Sequence, residues 1–125
     1  MSGMAGERVS PKEALQLMRE SGYVYVDVRS PMEFALGHPE GARNVPWLDN
    51  PDFLGEMKRT FAKDTKLIVG CRTNNRSAKA AAALRSVGYA DVREQRAGMA
   101  GVRDAFGGVL EEGWEALGLP VSCDP

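Results

Sequence analysis

A short apolar run followed at once by an alanine-rich helix pattern constrains the fold of this chain more than any other feature. Residues 66–69 form a run that is too short for a helix and suits a strand buried on both faces. Residues 77–85, with four consecutive alanines, form one of the strongest helix-forming stretches, and Gly88 ends it. Because a strand that leads into a helix is typical of a right-handed βαβ unit, the sequence predicts an α/β fold with a mainly parallel sheet.

Helix and strand signals alternate along the rest of the chain. Residues 10–13 and 30–33 both read Ser-Pro-x-Glu, a capping box with proline at the first helical position. The first opens a helix that ends at Gly22, and the second opens a short helix that ends near Gly37. We also expect strands or extended pieces at 23–28, 44–46 and 91–93, the last of these being the final strand, and a helix from Pro51 to about residue 61.

Length and charge restrict the domain organisation and the partners. With 125 residues the chain has room for one domain, which we place at residues 8–122. Residues 1–7 are expected to be a flexible N-terminus or a remnant of cloning, and residues 123–125 a C-terminal tail. The formal net charge of -1 provides no overall basic field for nucleic acid or an anionic membrane, so any anion site must be built locally.

The sequence shows no recognisable targeting segment and no metal-binding motif. No apolar run approaches the roughly 20 residues that cross a bilayer, and no secretory signal opens the chain, so we expect a cytoplasmic protein; a processed organellar form would show the same sequence. The two cysteines, Cys71 and Cys123, form no CxxC motif, and His38 is the single histidine. We therefore expect no metal and no cofactor, a structural role for His38 and an exposed bystander role for Cys123.

Cys71 stands where the strand of residues 66–69 gives way to the helix of residues 77–85. In parallel sheets ligands bind at the carboxyl ends of strands, and a thiol beside a helix N-terminus and arginines is favoured as a thiolate nucleophile. Arg72 and Arg76 supply charged planar donors for an oxyanion, and the loop amides can surround the sulfur. An isolated cysteine at a strand end is usually an inert buried side chain, but the arginines and the turn favour reactivity here.

Three segments, in this order along the chain, resemble the signatures of the rhodanese-like sulfurtransferases in their single-domain form. They are residues 26–29 with 33–34 and 37–46, then Cys71 to Arg76 followed by Ser77, and finally Trp114 with residues 118–121. The resemblance spans most of the chain. It implies a rhodanese-like three-layer α/β fold, in which a mainly parallel five-stranded sheet is flanked by helices.

The resemblance also implies a two-step reaction at Cys71. The thiolate attacks the outer sulfur of a sulfane donor such as thiosulfate, expels sulfite and becomes a persulfide, from which a thiophilic acceptor removes the sulfur. The acceptor is cyanide in an assay and a small thiol or a thiol protein in the cell. We expect a small-molecule donor, no nucleic acid or membrane partner, and a monomer or weak dimer. The implied donor-binding residues are Arg72, Thr73, Asn74, Asn75 and Arg76.

Three further residues are expected to support this loop. Asp27 and Glu33 lie near the carboxyl end of a strand that is close to the loop in this fold, so either carboxylate could pair with Arg76. Ser77 begins the helix that follows the loop. Cys123 has one alternative role, because a mobile thiol in the tail could attack a Cys71 persulfide.

The sequence departs from the family pattern after the second signature. The family usually has Gly-Gly, a large residue, two variable positions and Trp, but this chain has Val102 at the Trp position, and the tryptophan follows twelve residues later at Trp114. We expect the extra segment at residues 103–113 to be a surface loop, with a pocket rim or a partner site as the alternative.

Two functions of other classes stay open at this point. A phosphatase or arsenate reductase of related fold would place five residues between its cysteine and its arginine, whereas four separate Cys71 from Arg76. A non-catalytic module that binds sulfide or a partner arises in this family by loss of the nucleophile, whereas Cys71 is present.

Overall fold

The computed structural model describes residues 7–124. The predictions for residues 1–6 and for Pro125 lie outside this range. Between residues 7 and 124 no helix combines the length and apolar character needed to traverse a bilayer. The helices are α1 (Pro11–Ser21), α2 (Pro31–Leu36), α3 (Phe53–Thr60) and α4 (Asn75–Ser86). The strands are β1 (Arg8–Val9), β2 (Val24–Asp27), β3 (His38–Pro39), β4 (Arg43–Asn44), β5 (Lys66–Gly70), β6 (Asp91–Gln95), β7 (Val102–Arg103), β8 (Val109–Glu111) and β9 (Val121–Ser122).

Five of these strands form one parallel sheet in the order β1-β6-β5-β2-β4. The register places Val69 of β5 between Val26 of β2 and Glu94 of β6. Two short antiparallel pairs, β3 with β9 and β7 with β8, lie outside this sheet. The predicted α/β fold with a mainly parallel five-stranded sheet is confirmed.

Helices cover both faces of the sheet because the central strands are apolar on both sides. In β5, Leu67 and Val69 face one way and Ile68 the other, as the two-residue repeat of a strand requires. Leu67 and Val69 pack in a buried cluster with side chains of α3 and α4. Ile68 packs in a second cluster with side chains of α1, α2 and the C-terminal segment. The strand of residues 66–69, predicted to be buried on both faces, therefore forms the middle of a three-layer structure.

Both predicted capping boxes are present. Ser10 accepts a hydrogen bond from the backbone N–H of Glu13, whose carboxylate accepts one from the N–H of Ser10, and Ser30 and Glu33 do the same at α2. The cap at α2 fixes Glu33 at the end of the sheet where β5 gives way to α4.

The elements predicted from the sequence differ from the structure at several points, including the following. Strand β1 was missed because it has two residues, too few for a pattern, and it is defined by its parallel pairing with β6. Residues 91–93 were expected to be the final strand, but β7, β8 and β9 follow them. Helix α4 begins at Asn75 rather than at Ser77, since the carbonyl of Asn74 already accepts from the N–H of Ala78.

Candidate active site

The candidate nucleophile, Cys71, follows directly on the last residue of β5 and is 1% exposed. The residue before it, Gly70, has to be glycine because a Cβ there would overlap the hydroxyl of Tyr25. This close approach fixes the point at which the chain leaves the sheet and therefore the place of the sulfur.

Ser77 contacts the sulfur from the first turn of α4. Its backbone N–H donates to Sγ of Cys71 at 3.4 Å, and its hydroxyl oxygen lies 3.3 Å from Sγ. The N-terminus of α4, with its unpaired N–H groups and partial positive charge, is thus directed at the sulfur. Such an arrangement stabilises negative charge on a thiolate or a persulfide.

Arg76 is bound by Glu33 of α2. Its Nη1 and Nη2 donate to the two carboxylate oxygens of Glu33 at 2.7 and 3.0 Å, which makes a bidentate pair. The Arg76 guanidinium, together with hydrogen bonds from Ser30, lowers the pKa of Glu33 to about 2, and the carboxylate raises the pKa of Arg76. One N–H of each terminal nitrogen of Arg76 is therefore committed to Glu33, and this pair joins α2 to α4 beside the loop.

Asp27, the other carboxylate expected to pair with Arg76, binds Arg29 instead. Arg29 lies two residues further on, and its Nη2 donates to Asp27 at 2.7 Å and to the carbonyl oxygen of Gly37, also at 2.7 Å. The pair is buried, with 1% and 8% of the side chains exposed. Local spacing decides this outcome, because Arg29 reaches Asp27 from the same segment. The Asp-x-Arg spacing at the end of a buried strand was the available signal for Arg29, whose role the sequence analysis missed.

The backbone of the Cys71 loop (residues 71–76) is held by a neighbouring segment, residues 97–100. The N–H of Met99 donates to the carbonyl of Cys71 at 3.0 Å, and that of Ala100 to the carbonyl of Arg72 at 2.8 Å. Gly98 adopts a left-handed conformation, with φ of 65°, and a Cβ there would overlap the carbonyl oxygens of Arg72 and Thr73. This segment was not identified as part of the site from sequence, although Gly98 belongs to the family pattern.

Gln95 in turn fixes that segment. Its side-chain oxygen accepts from the N–H groups of Ala97 and Gly98, both at 2.8 Å, and its amide nitrogen donates to the Gly98 carbonyl and to the Tyr25 hydroxyl. Burial raises the pKa of Tyr25 far above its ordinary value, so its hydroxyl stays neutral. The sequence does not predict this role of Gln95, because the strand pattern identifies position 95 only as part of the core.

The outer face of the Cys71 loop opens on a cavity of about 330 Å³. Arg72 is exposed and lines it, while Thr73 and Asn75 are exposed and Asn74 is half-buried. Binding of a donor by these four side chains stays a prediction. The cavity is lined by Arg29, Glu33, Leu36, Gly37, Arg72, Met99, Ala100 and Glu115.

The two remaining residues singled out from sequence lie away from the sulfur contacts. The His38 ring is buried, donates from Nδ1 to the carbonyl of Phe34 at 2.7 Å and stacks on the Phe34 ring with centroids 3.6 Å apart. This contact joins β3 to α2, a structural role. Cys123 is exposed, with Sγ 3.7 Å from the carbonyl oxygen of Leu36.

The extra segment forms a hairpin of β7 and β8. The chain leaves at Gly101 and returns at Gly113, where the two backbones pass so closely that a side chain at Gly113 would overlap the Gly101 backbone. Trp114 then re-enters the core at 0% exposure and packs edge-on against Tyr25. The hairpin is thus a surface addition, as expected, and its tip carries Phe106 at 98% exposure.

Comparison with known proteins identifies the fold and the family. The family described as Rhodanese-like domain matches residues 10–105. The chain is 38% identical over 111 residues to "Thiosulfate sulfurtransferase 16, chloroplastic" of Arabidopsis thaliana, covering 82% of each chain. It is 38% identical over 86 residues to "Thiosulfate sulfurtransferase GlpE" of Pseudomonas putida, covering 69% of this chain and 74% of that one. Of two longer plant relatives the chain spans 63% and 50% of the length.

A solved structure agrees. The crystal structure of Rv0390 from M. tuberculosis superimposes with a TM-score of 0.77 at 29% identity, covering 94% of this chain and 97% of that one. These three comparisons and the placement of Cys71 between β5 and α4 thus lead to one assignment. The chain belongs to the rhodanese-like domain family, which includes enzymes named thiosulfate sulfurtransferases.

Proposed function

We propose that this protein is a sulfurtransferase that moves a sulfane sulfur from thiosulfate or a related donor to a thiophilic acceptor through a persulfide on Cys71. The observation that carries the proposal is the position of the Cys71 sulfur. It lies at the N-terminus of α4 and within reach of the Ser77 N–H, next to a loop whose Arg72 lines an open cavity. The names of the relatives from Arabidopsis thaliana and Pseudomonas putida support the same reaction class.

The first step uses the Arg72 guanidinium and the N-terminus of α4. The Cys71 thiolate attacks the outer sulfur of thiosulfate, a new S–S bond forms, and sulfite leaves with the electron pair of the old S–S bond. Arg72 holds the departing sulfonate because its guanidinium is exposed in the cavity and supplies planar charged donors. The persulfide anion then accepts the Ser77 N–H at the helix N-terminus.

In the second step a thiophilic acceptor attacks the terminal sulfur of the persulfide and releases Cys71 as a thiolate. Cyanide gives thiocyanate in an assay, and a small thiol or a thiol protein would accept the sulfur as its own persulfide. We expect the acceptor to approach from the cavity beside Arg72, the side on which sulfite departs.

The test is the intact mass of the protein after incubation with thiosulfate. We expect a gain of one sulfur atom, absent in Cys71→Ala and retained in Cys123→Ser, with Cys71→Ala still folded because it removes a single small side chain. Cyanide should remove the added sulfur and yield thiocyanate. Equal loss of turnover in both variants would show that Cys123 is a resolving thiol rather than a bystander.

The two rival functions are separate outcomes of the same experiment. If thiosulfate leaves Cys71 unmodified while the protein hydrolyses aryl phosphates or binds phosphate or arsenate tightly, it is a phosphatase or arsenate reductase. The bidentate contact of Arg76 with Glu33 argues against that outcome, because the Glu33 carboxylate offsets the charge of Arg76 and takes one N–H from each terminal nitrogen, which weakens its hold on a tetrahedral oxyanion. If neither reaction occurs, the protein is a binding module.

A further inference from the structure

A buried carboxylate that sulfur transfer does not use lies two hydrogen bonds from the nucleophile. Glu94 of β6 is 5% exposed. Its Oε2 accepts a hydrogen bond from the Ser77 hydroxyl at 3.1 Å, and its Oε1 accepts one from Nε of Arg8 at 3.0 Å. A buried carboxylate is costly without partners, and here its partners join it to the Cys71 site.

The hydrogen bonds at Ser77 have a definite direction. An ionised carboxylate only accepts, so the Ser77 proton points to Glu94 and a lone pair of its hydroxyl oxygen faces the sulfur. The Cys71 thiol donates to that lone pair across 3.3 Å. The chain therefore runs from the thiol to the hydroxyl to the carboxylate. In this direction the Ser77 hydroxyl accepts a hydrogen bond from a thiol but donates none to a thiolate.

We propose that Glu94 is a positioning residue that sets the direction of the Ser77 hydroxyl and so holds resting Cys71 as a thiol. To form the nucleophile, a buffer base or hydroxide takes the thiol proton, and the Ser77 O–H turns from Glu94 to donate to the sulfur anion. No other bond changes. The inference deepens the proposed function, because it states what limits the supply of thiolate for attack on the donor.

Glu94 reaches water without any opening of the Cys71 loop. It lines a second cavity, of about 480 Å³, together with Arg8, Asn74, Asn75 and Lys79, among others. This cavity shares no lining residue with the one beside Arg72. A donor can therefore occupy the cavity beside Arg72 without covering Glu94.

The charged and titratable groups around the pair are few. Arg8 of β1 faces Glu94 directly, and Glu7, Lys79 and Arg85 line the same cavity. Arg76 and the Tyr25 hydroxyl lie near Cys71, and the exposed Arg72 follows it directly in the loop. Because Arg76 is paired with Glu33 and Tyr25 is neutral, the Glu94 carboxylate is the group whose removal changes the hydrogen bonding at the sulfur.

The experiment is a pH titration of the ultraviolet absorbance of the thiolate, measured in Cys123→Ser protein after subtraction of the matching Cys71→Ala spectrum. In Glu94→Gln, Arg8 holds the amide oxygen, so the amide NH₂ faces Ser77 and turns its hydroxyl to the sulfur. We expect the midpoint to fall by about one pH unit, which is about tenfold more thiolate below the midpoint. Asp91→Asn is the control, because Asp91 lies on the same strand and pairs with Arg93 and Tyr23 instead.

A double-mutant cycle separates this hydrogen bond from a simple charge effect. In Ser77→Ala the Glu94→Gln shift should disappear, and in Ser77→Thr, which keeps a hydroxyl, it should return. A shift that persists in Ser77→Ala would overturn the proposal, as would an unchanged midpoint in folded Glu94→Gln. If Glu94→Gln does not fold, Arg8→Met tests the opposite direction. Without Arg8 the Glu94 carboxylate should bind the Ser77 hydroxyl more tightly and raise the midpoint of the thiolate titration. An unchanged or lower midpoint would overturn the proposal.

The titration needs no sulfur donor, so the two proposals can fail separately. A lowered midpoint in protein that thiosulfate never modifies would keep the role of Glu94 and refute sulfur transfer. Persulfide formation with an unchanged midpoint would do the reverse. If both hold, Glu94→Gln should form the persulfide faster than the native protein at a pH below the native midpoint, and about threefold more slowly above it, because a thiolate of lower pKa is a weaker nucleophile.

Discussion

The two ends of the Cys71 loop are held by different kinds of contact. At Cys71 and Arg72 the loop is fixed through its backbone carbonyls, which accept from Met99 and Ala100, and the Arg72 side chain is exposed. At Arg76 the side chain is the anchor, through its bidentate contact with Glu33. The first end can therefore offer a side chain to a ligand, whereas the second uses its side chain to hold the structure.

The largest effect is expected where the backbone clamp is closest. Gly98→Ala would place a Cβ on the carbonyls of Arg72 and Thr73 at a φ of 65°, and we expect it to lower the free energy of unfolding by about 2–4 kcal/mol. Gly107→Ala is the matched control, since φ is 84° there but nothing lies within 4 Å, and should cost about 1 kcal/mol. Chemical denaturation measures both; equal losses would mean that strain rather than the clamp matters.

At the other end, Arg76→Ala should lower the free energy of unfolding by about 1–3 kcal/mol, because it leaves the half-buried Glu33 carboxylate without its partner. Glu33→Gln should cost less, since an amide still accepts one hydrogen bond from Arg76. Thermal unfolding measures the loss. An unchanged melting temperature in Arg76→Ala would remove the distinction between the two ends of the loop.

The same pair makes stability depend on acid pH. The pKa of Glu33 falls from 4.5 to about 2 in the folded protein, so its contribution is complete above about pH 4.5 and is lost as the pH falls toward 2. We expect the native protein to lose about 1–2 kcal/mol relative to Glu33→Gln across that window. If thermal unfolding shows that the native protein and Glu33→Gln lose the same stability between pH 5 and pH 2, the assignment is wrong.

Arg72→Ala should behave in the opposite way to Arg76→Ala. Its side chain is exposed in the cavity, so we expect stability to change by less than about 0.5 kcal/mol while KM for thiosulfate rises several-fold and kcat changes less. Arg103→Ala is the control for loss of one exposed charge, because Arg103 lies on the hairpin and does not line that cavity. A fall in kcat without a rise in KM would show that Arg72 contacts thiosulfate only in the transition state.

The smallest effect is expected at Cys123→Ser. The thiol is exposed and its contact with the Leu36 carbonyl is weak, so both stability and persulfide formation should stay within error of the native protein. Denaturation and intact mass together test this, and a slower release of sulfur to acceptor would show that the tail takes part.

Several features of the site followed from local sequence because local physics decides them. The apolar run before Cys71 could only be a buried strand, the alanines after Ser77 could only be a helix, and the junction between them placed Cys71 at a helix N-terminus. The capping box fixed Glu33 at the start of its own helix. Each depends on residues within about a turn of one another, so no knowledge of distant contacts was needed.

Other features depend on which elements the sheet brings together, and these the sequence left open. The local Asp-x-Arg spacing pairs Asp27 with Arg29, but only the position of α2 beside α4 brings Glu33 to Arg76. Only the packing of residues 97–100 against the loop explains why Gly98 is a glycine, and only the pairing of β1 with β6 gives Glu94 its partner Arg8. The sequence determined the strand, the helix and the cysteine between them. The tertiary structure decided the partners, because contacts between residues tens of positions apart are set by packing and carry no local periodicity.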